Sequence, residues 1–211
     1  MRPRVAILIS GCGSNMAAIL DCATREAWEA DFCIVLSNRP DAPGLDLAAE
    51  RGVPTAVINH RNYRGRREEF DAALAERLRS LGTDWVVLAG FMRVLGGKFT
   101  EAFAGRILNI HPSLLPLYPG LNTHQRALEA GDSIAGCTVH LVDESLDGGT
   151  ILAQAQVPIR PGDDPARLAA RVLEEEHKLY PRVVRALIEG RLPSETASPD
   201  VTRGTEAEIQ S

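Results

Sequence analysis

A chain of 211 residues is long enough for one large domain or two small ones and for a substantial buried core. Apolar residues at 45% and charged residues at 24% are ordinary for a globular protein, and a net charge of −5 argues against a broad basic face for nucleic acid. No apolar run approaches the ~20 residues of a membrane helix, and the start, Met1-Arg-Pro-Arg-Val-Ala-Ile-Leu-Ile9, turns polar too soon for a signal peptide, so a cytoplasmic protein without membrane partners is expected. Cys12, Cys22, Cys33 and Cys137 show neither Cys-x-x-Cys nor Cys/His spacing. They read as small buried or semi-buried residues in a reducing compartment, and no metal site is expected.

Val5-Ala-Ile-Leu-Ile9 is a short continuous apolar run, the pattern of a strand buried on both faces of a parallel sheet. It leads into Ser10-Gly-Cys-Gly-Ser-Asn15 and then a helix from Met16. A strand, a glycine loop and a helix in that order make an anion site, because the first helical N–H groups face the loop and carry the positive dipole end. A dinucleotide site fits poorly: Met16 stands where a third glycine would be, and the second strand, Phe32 to Ser37, is followed by Asn38 rather than an acid. A small phosphate fits better.

A helix is predicted over 42–52, a strand over 54–58, and a helix over 66–81, where Phe70, Leu74, Leu78 and Leu81 recur at helical spacing. Arg61, Arg64, Arg66 and Arg67 crowd the entrance of that helix, a solvated face or a meeting place for an anion. Asp84 to Gly90 is another buried strand, and the apolar Phe91-Met-Arg-Val-Leu95 after it could be core or could line a pocket for a flat organic ligand. Arg106-Ile-Leu-Asn-Ile-His111 is the next strand, ending in a proline-rich loop.

From there the pattern changes. A helix over 123–130 is followed by alternating strands over 137–143 and 150–158, joined by Glu144-Ser-Leu-Asp-Gly-Gly149, an antiparallel pair at one edge. Asp163-Asp-Pro-Ala caps a long helix to about Glu189. The expected fold is therefore α/β, with a mainly parallel central sheet and antiparallel strands at the C-terminal edge, in a single domain over 1–192. Residues 193–211, rich in Ser, Thr, Pro and Glu, read as a poorly ordered tail.

Alternate strand residues share a face, so Asn109 and His111 emerge together where open α/β sheets put chemistry. An amide donor beside an imidazole suits an acyl-type reaction, one group holding a developing oxyanion while the other moves a proton. Taken alone, the pair could equally be a strand ending in a polar turn.

Three segments together, Ser10-Gly-Cys-Gly-Ser-Asn15, Asn109-Ile-His-Pro-Ser-Leu-Leu-Pro116 and Leu146-Asp-Gly-Gly149, closely resemble the phosphoribosylglycinamide formyltransferase family over roughly residues 3 to 192. The resemblance implies a Rossmann-like formyltransferase fold. It also implies transfer of the formyl group of 10-formyltetrahydrofolate to the amine of 5-phosphoribosylglycinamide, a step of purine biosynthesis that needs small-molecule substrates and no metal, in a monomer or a homodimer. Asn109, His111 and Asp147 are then the catalytic constellation, Asp147 holding His111 in a productive tautomer, supporting its charge or relaying a proton through water. Gly13, Ser14 and Asn15 match the loop for the substrate's ribose phosphate, and Glu176 an acid that holds the substrate. Arg67 matches a folate-side arginine for the glutamate tail. Met92, Arg93, Val94 and Leu95 match the segment beside the pterin, with Asn109, Val142 and Asp143 on the same ligand. His124 and His140 receive no catalytic role, Asn122 stands where many relatives carry histidine, and a cis Leu115-Pro116 bond follows on family grounds.

Rival readings remain. In a formyltetrahydrofolate deformylase water would replace the amine, but an N-terminal regulatory domain is then usual and the first strand begins by Arg4. A methionyl-tRNA formyltransferase is disfavoured by the acidic charge, and a non-catalytic binding module leaves Asn109, His111 and Asp147 as coincidence. A nucleophilic Ser113 is a rival within the site, unneeded if the amine attacks directly.

Overall fold

The apolar runs become the strands of one seven-stranded sheet in the computed structural model, which describes residues 1–191; the tail over 193–211 lies outside the described residues. The strands are β1 (Arg4–Ile9), β2 (Asp31–Ser37), β3 (Thr55–Val57), β4 (Trp85–Leu88), β5 (Ile107–His111), β6 (Ile134–Leu141) and β7 (Ile151–Pro158). Their order is β3-β2-β1-β4-β5-β6-β7. The first five run parallel, while β6 pairs antiparallel with β5 and β7 antiparallel with β6, the expected mixture.

Among the described residues six α-helices cover the sheet: α1 (Ser14–Arg25), α2 (Gly44–Glu50), α3 (Arg67–Ser80), α4 (Gly97–Ala102), α5 (Thr123–Glu129) and α6 (Pro165–Ile188). Side chains alternate across a strand, so β1 feeds two cores at once. Val5, Ile7 and Ile9 pack with Met16 and Ile19 of α1 and with Val172, Tyr180 and Val184 of α6. Ala6 and Leu8 pack on the other face with Phe70, Leu74 and Leu78 of α3 and Phe99 of α4. Burial on both faces explains why these strands read as unbroken apolar runs.

Three details differ from expectation. Helix α1 begins at Ser14, so Ser14 and Asn15 belong to its first turn, and Gly13 before it adopts φ +73°. Strand β6 begins at Ile134, before the predicted 137, because it pairs along nearly its whole length with β7. Helix α4 and a 3₁₀ turn, His60–Tyr63, were not expected: six and four residues are too short for a helical period to show, and Gly96-Gly97 reads as a breaker.

The strand order reverses between β1 and β4, and the crevice beyond their C-terminal ends is where such sheets bind ligands. Helix α6 braces this crevice from below. Asp164 caps it by accepting from the Arg167 N–H at 2.8 Å, with Pro165 in the first turn. The buried Tyr180 hydroxyl lies 2.9 Å from the Leu88 carbonyl and 3.1 Å from that of Leu108, tying α6 to β4 and β5 one residue before Ala89 and Asn109.

Candidate active site

Two cavities open along the crevice and share Gly90, Met92 and Arg93. The first, about 530 Å³, is the more polar: Ser10 to Asn15 form one wall, and Asn38, Arg39, His60 and Arg61 another. No side chain caps the N-terminus of α1 and no acid sits in its first turn, so its leading N–H groups are left to an anion. Gly13 is needed for more than its positive φ. A Cβ there would stand 3.0 Å from the Gly44 Cα and 3.1 Å from Met16 Cε, and the Gly44 N–H donates to the Gly11 carbonyl at 3.1 Å, so α2 backs the loop directly. Asn15 is buried and donates from Nδ2 to Glu176 Oε2 at 2.7 Å, while its own Oδ1 has no partner. Burial pushes the Glu176 carboxyl above its ordinary range, and the Asn15 hydrogen bond opposes that shift.

The second cavity, about 610 Å³, lies over β4, β5 and β6 and is lined by Phe91 to Leu95, Asn109 to Pro112, Gly120 to His124, His140 and Val142 to Asp147. Asn109 and His111 face it side by side from β5. His111 Nε2 lies 2.9 Å from the Tyr118 carbonyl, which can only accept, so that nitrogen carries the proton. Nδ1 is left toward Asp147, 3.4 Å from Oδ2. The Asp147 carboxylate is itself anchored by the Gly120 N–H at 2.8 Å, and its residue holds φ +52°. Tyr118 and Asn122, in the loop opposite, also have positive φ. Backbone strain of this kind, of order 1–3 kcal/mol per residue, persists where surrounding contacts over-determine it, typically at functional sites.

The whole chain is similar to known proteins. The sequence model described as "Formyl transferase" matches residues 3–184. The chain belongs to the formyl transferase family. A phosphoribosylglycinamide formyltransferase of Haemophilus influenzae is 48% identical over 90% of this chain and 89% of its own. Trifunctional purine biosynthetic proteins adenosine-3 of Drosophila melanogaster and Homo sapiens are 47% and 46% identical, and this chain spans only 15% and 19% of their lengths. Among solved structures, glycinamide ribonucleotide transformylase 1 from Symbiobacterium toebii superimposes with a TM-score of 0.87 at 47% identity, covering 91% of this chain and 90% of that one. Phosphoribosylglycinamide formyltransferase from Brucella melitensis gives 0.84 at 48%, covering 92% and 100%.

In this formyltransferase the residues singled out from sequence fall into three groups. Gly13, Ser14 and Asn15 line the polar cavity, with Glu176 behind Asn15. Met92, Arg93, Val94, Leu95, Asn109, His111, Val142, Asp143 and Asp147 line the second. Arg67 lines neither; it sits half-exposed on α3, 3.8 Å from Asp71 Oδ2, while Arg93 stacks on Phe70 with 5.0 Å to the ring centre. Asp143 accepts from both the backbone and the hydroxyl of Ser145, which holds its carboxyl below the usual range and commits it to its own turn. Ser113 donates to the Leu117 carbonyl at 2.6 Å, closing a turn, so it is no nucleophile for His111. The Leu115-Pro116 bond is cis, as the family resemblance implied. Cys12, expected at least half-buried, is exposed in the glycine loop because Gly11 and Gly13 give it no cover.

Sequence reasoning missed His140. It pairs with Asn109 across β5 and β6, and its Nε2 lies 3.1 Å from Asn109 Nδ2 and 3.9 Å from Asp147 Oδ1. Its Nδ1 is 3.0 Å from the Leu141 carbonyl and must donate there, which leaves Nε2 to accept from the Asn109 amide and fixes how that amide is turned. Burial pushes the His140 imidazole below its ordinary value, so the ring stays neutral in this role. A lone histidine in an alternating strand carries no signal of such a partner.

Proposed function

We propose that this chain transfers the formyl group of 10-formyltetrahydrofolate to the amine of 5-phosphoribosylglycinamide. The observation that carries the reading is the meeting of the two cavities at Gly90, Met92 and Arg93, beside Asn109, His111 and Asp147. The phosphate of the ribonucleotide sits on the N–H groups of Gly13, Ser14 and Asn15. Its ribose lies toward the Asn15 and Glu176 pair, whose unpartnered Oδ1 asks for a donor. The pterin enters the second cavity between residues 92–95 and 142–147, and the glutamate tail runs out toward Arg67, whose guanidinium meets its carboxylates at the rim.

The amine then attacks the formyl carbon on N10, forming one C–N bond as the carbonyl becomes an oxyanion. Asn109 has one amide N–H committed to His140 and offers the second to that oxygen. Because Nε2 of His111 is tied to Tyr118, its chemistry runs through Nδ1. That nitrogen takes the proton the attacking amine must lose and returns it to N10 as the second C–N bond breaks, and the Asp147 carboxylate stabilises the imidazolium between the two steps. No covalent enzyme intermediate is required.

On this proposal residues 1–192 act as one domain in the cytoplasm, as a monomer or homodimer, the oligomer being decided by gel filtration. The reaction is tested by following 10-formyltetrahydrofolate spectroscopically with and without glycinamide ribonucleotide. Loss only in the presence of the amine is expected. Equal loss without it makes water the acceptor and overturns the proposal in favour of a deformylase.

A further inference from the structure

Asn38 follows the second strand, where a dinucleotide-binding chain would carry an acid, and it is 3% exposed. Its amide oxygen is engaged within the protein. The Ser10 hydroxyl donates to Asn38 Oδ1 at 2.6 Å and itself accepts from the Met92 N–H at 2.8 Å, while the Ser10 N–H donates to the Gly90 carbonyl at 3.2 Å. On the far side the ring of His60 closes the chain, donating from Nδ1 to the Asn38 carbonyl at 2.8 Å. Three strand ends, β1, β2 and the turn after β3, are thus threaded to the loop that follows β4.

That loop needs such a hold. Phe91 and Leu95 are buried and anchor its ends, but Met92 and Val94 are 70% and 59% exposed, so apolar packing does little to fix the backbone between them. Gly90, at φ +75°, adds freedom at the entrance. We propose that Ser10 and Asn38 are positioning residues for the folate-side loop: the serine hydroxyl, oriented by the buried asparagine, holds the Met92 amide so that residues 92–95 keep the shape that receives the ring. The inference rests on the reading of that cleft as the folate cleft. It also accounts for Asn38 in place of an acid, since an amide oxygen accepts from the serine without burying a charge.

Ser10→Ala removes the hydroxyl and leaves the rest of the loop untouched. Loss of one hydrogen bond of ordinary strength corresponds to about a fivefold effect. Two readouts are expected to move by about that factor: hydrogen exchange at the Met92 amide becomes faster, and the KM for 10-formyltetrahydrofolate rises more than the KM for the ribonucleotide. Asn38→Ala should follow Ser10→Ala, and Asn38→Asp, which keeps an acceptor for the serine, should recover part of the loss. Unchanged exchange at Met92 in Ser10→Ala overturns the inference. So does an equal rise of both KM values together with a fall in melting temperature, the mark of a merely structural role. If the unaltered protein transfers no formyl group, the proposed function fails separately, and exchange at Met92 still decides whether the network holds the loop.

Discussion

The two cavities are built differently. The more polar one has a wall of main chain, with glycines at 11 and 13, the open N-terminus of α1, and Gly44 pressed against the loop from behind, opposite a wall of side chains from Asn38 to Arg61. The other is built from side chains on β5 and β6 and from two loops that hold Tyr118, Asn122 and Asp147 at positive φ. A phosphate needs charge complementarity and little more, so backbone N–H groups suffice. A reaction needs a proton moved at one atom, so side chains must be aimed, and the loops that aim them carry strain.

Changes on the two sides should therefore fail differently. The largest effect is expected for Asp147→Asn, which keeps an acceptor for the Gly120 N–H but removes the charge beside His111 Nδ1. Turnover should fall by on the order of 10²–10⁴ with little change in either KM, as steady-state kinetics will show. A KM effect in place of a kcat effect would make Asp147 a binding residue and blur the contrast.

Gly13→Ala comes next. The new Cβ meets Gly44 at 3.0 Å at a φ of +73°, so the loop must shift at a cost of about 1–2 kcal/mol. The KM for the ribonucleotide should rise roughly tenfold, while a folate analogue raises the melting temperature as it does for the unaltered chain. Equal loss of both ligands would mean that the cavities are not separable.

Glu176 sharpens the contrast through pH. Its carboxyl is raised by burial, so the folded protein holds the proton that the unfolded chain releases near pH 4.5, and stability falls as pH rises from there through the folded value. Above that value the full penalty of a buried charge applies. Glu176→Gln should then melt higher than the parent at neutral pH, lose the difference below pH 4.5, and bind the ribonucleotide less well. A melting temperature that drops at neutral pH would show that the carboxylate stabilises the fold. The smallest effect is expected for Arg67→Ala, half-exposed on α3: a few-fold weaker binding of polyglutamylated folate, fading as salt is added, with no change for a folate lacking the tail.

Much of the fold could be read from the chain because the central parallel strands are buried on both faces, as Val5 to Ile9 and Val86 to Leu88 are, and an unbroken apolar run is hard to mistake. The glycine loop was legible for a related reason: a turn made of backbone is encoded as glycines at fixed spacing. Helix α4 was not, being too short for a period. The cluster around His111 was legible only in part. Asn109 and His111 share a strand face, but Asp147 lies far along the chain and was reached through family resemblance. The Tyr118 carbonyl and His140, which set the tautomer of one catalytic group and the turn of the other, act through contacts that leave no mark in sequence.

The central claim is that one reaction centre lies where the main-chain cavity meets the side-chain cavity. A crystal structure with a bisubstrate ligand, in which a folate-like ring is joined through the formyl position to a ribonucleotide phosphate, tests it most directly. The expected result places the phosphate on Gly13 to Asn15, the ring beside residues 92–95, and the joining carbon within hydrogen-bond reach of Asn109 and His111 Nδ1. A ligand whose phosphate lies away from the glycine loop, or whose joining carbon lies outside the reach of both side chains, would contradict it.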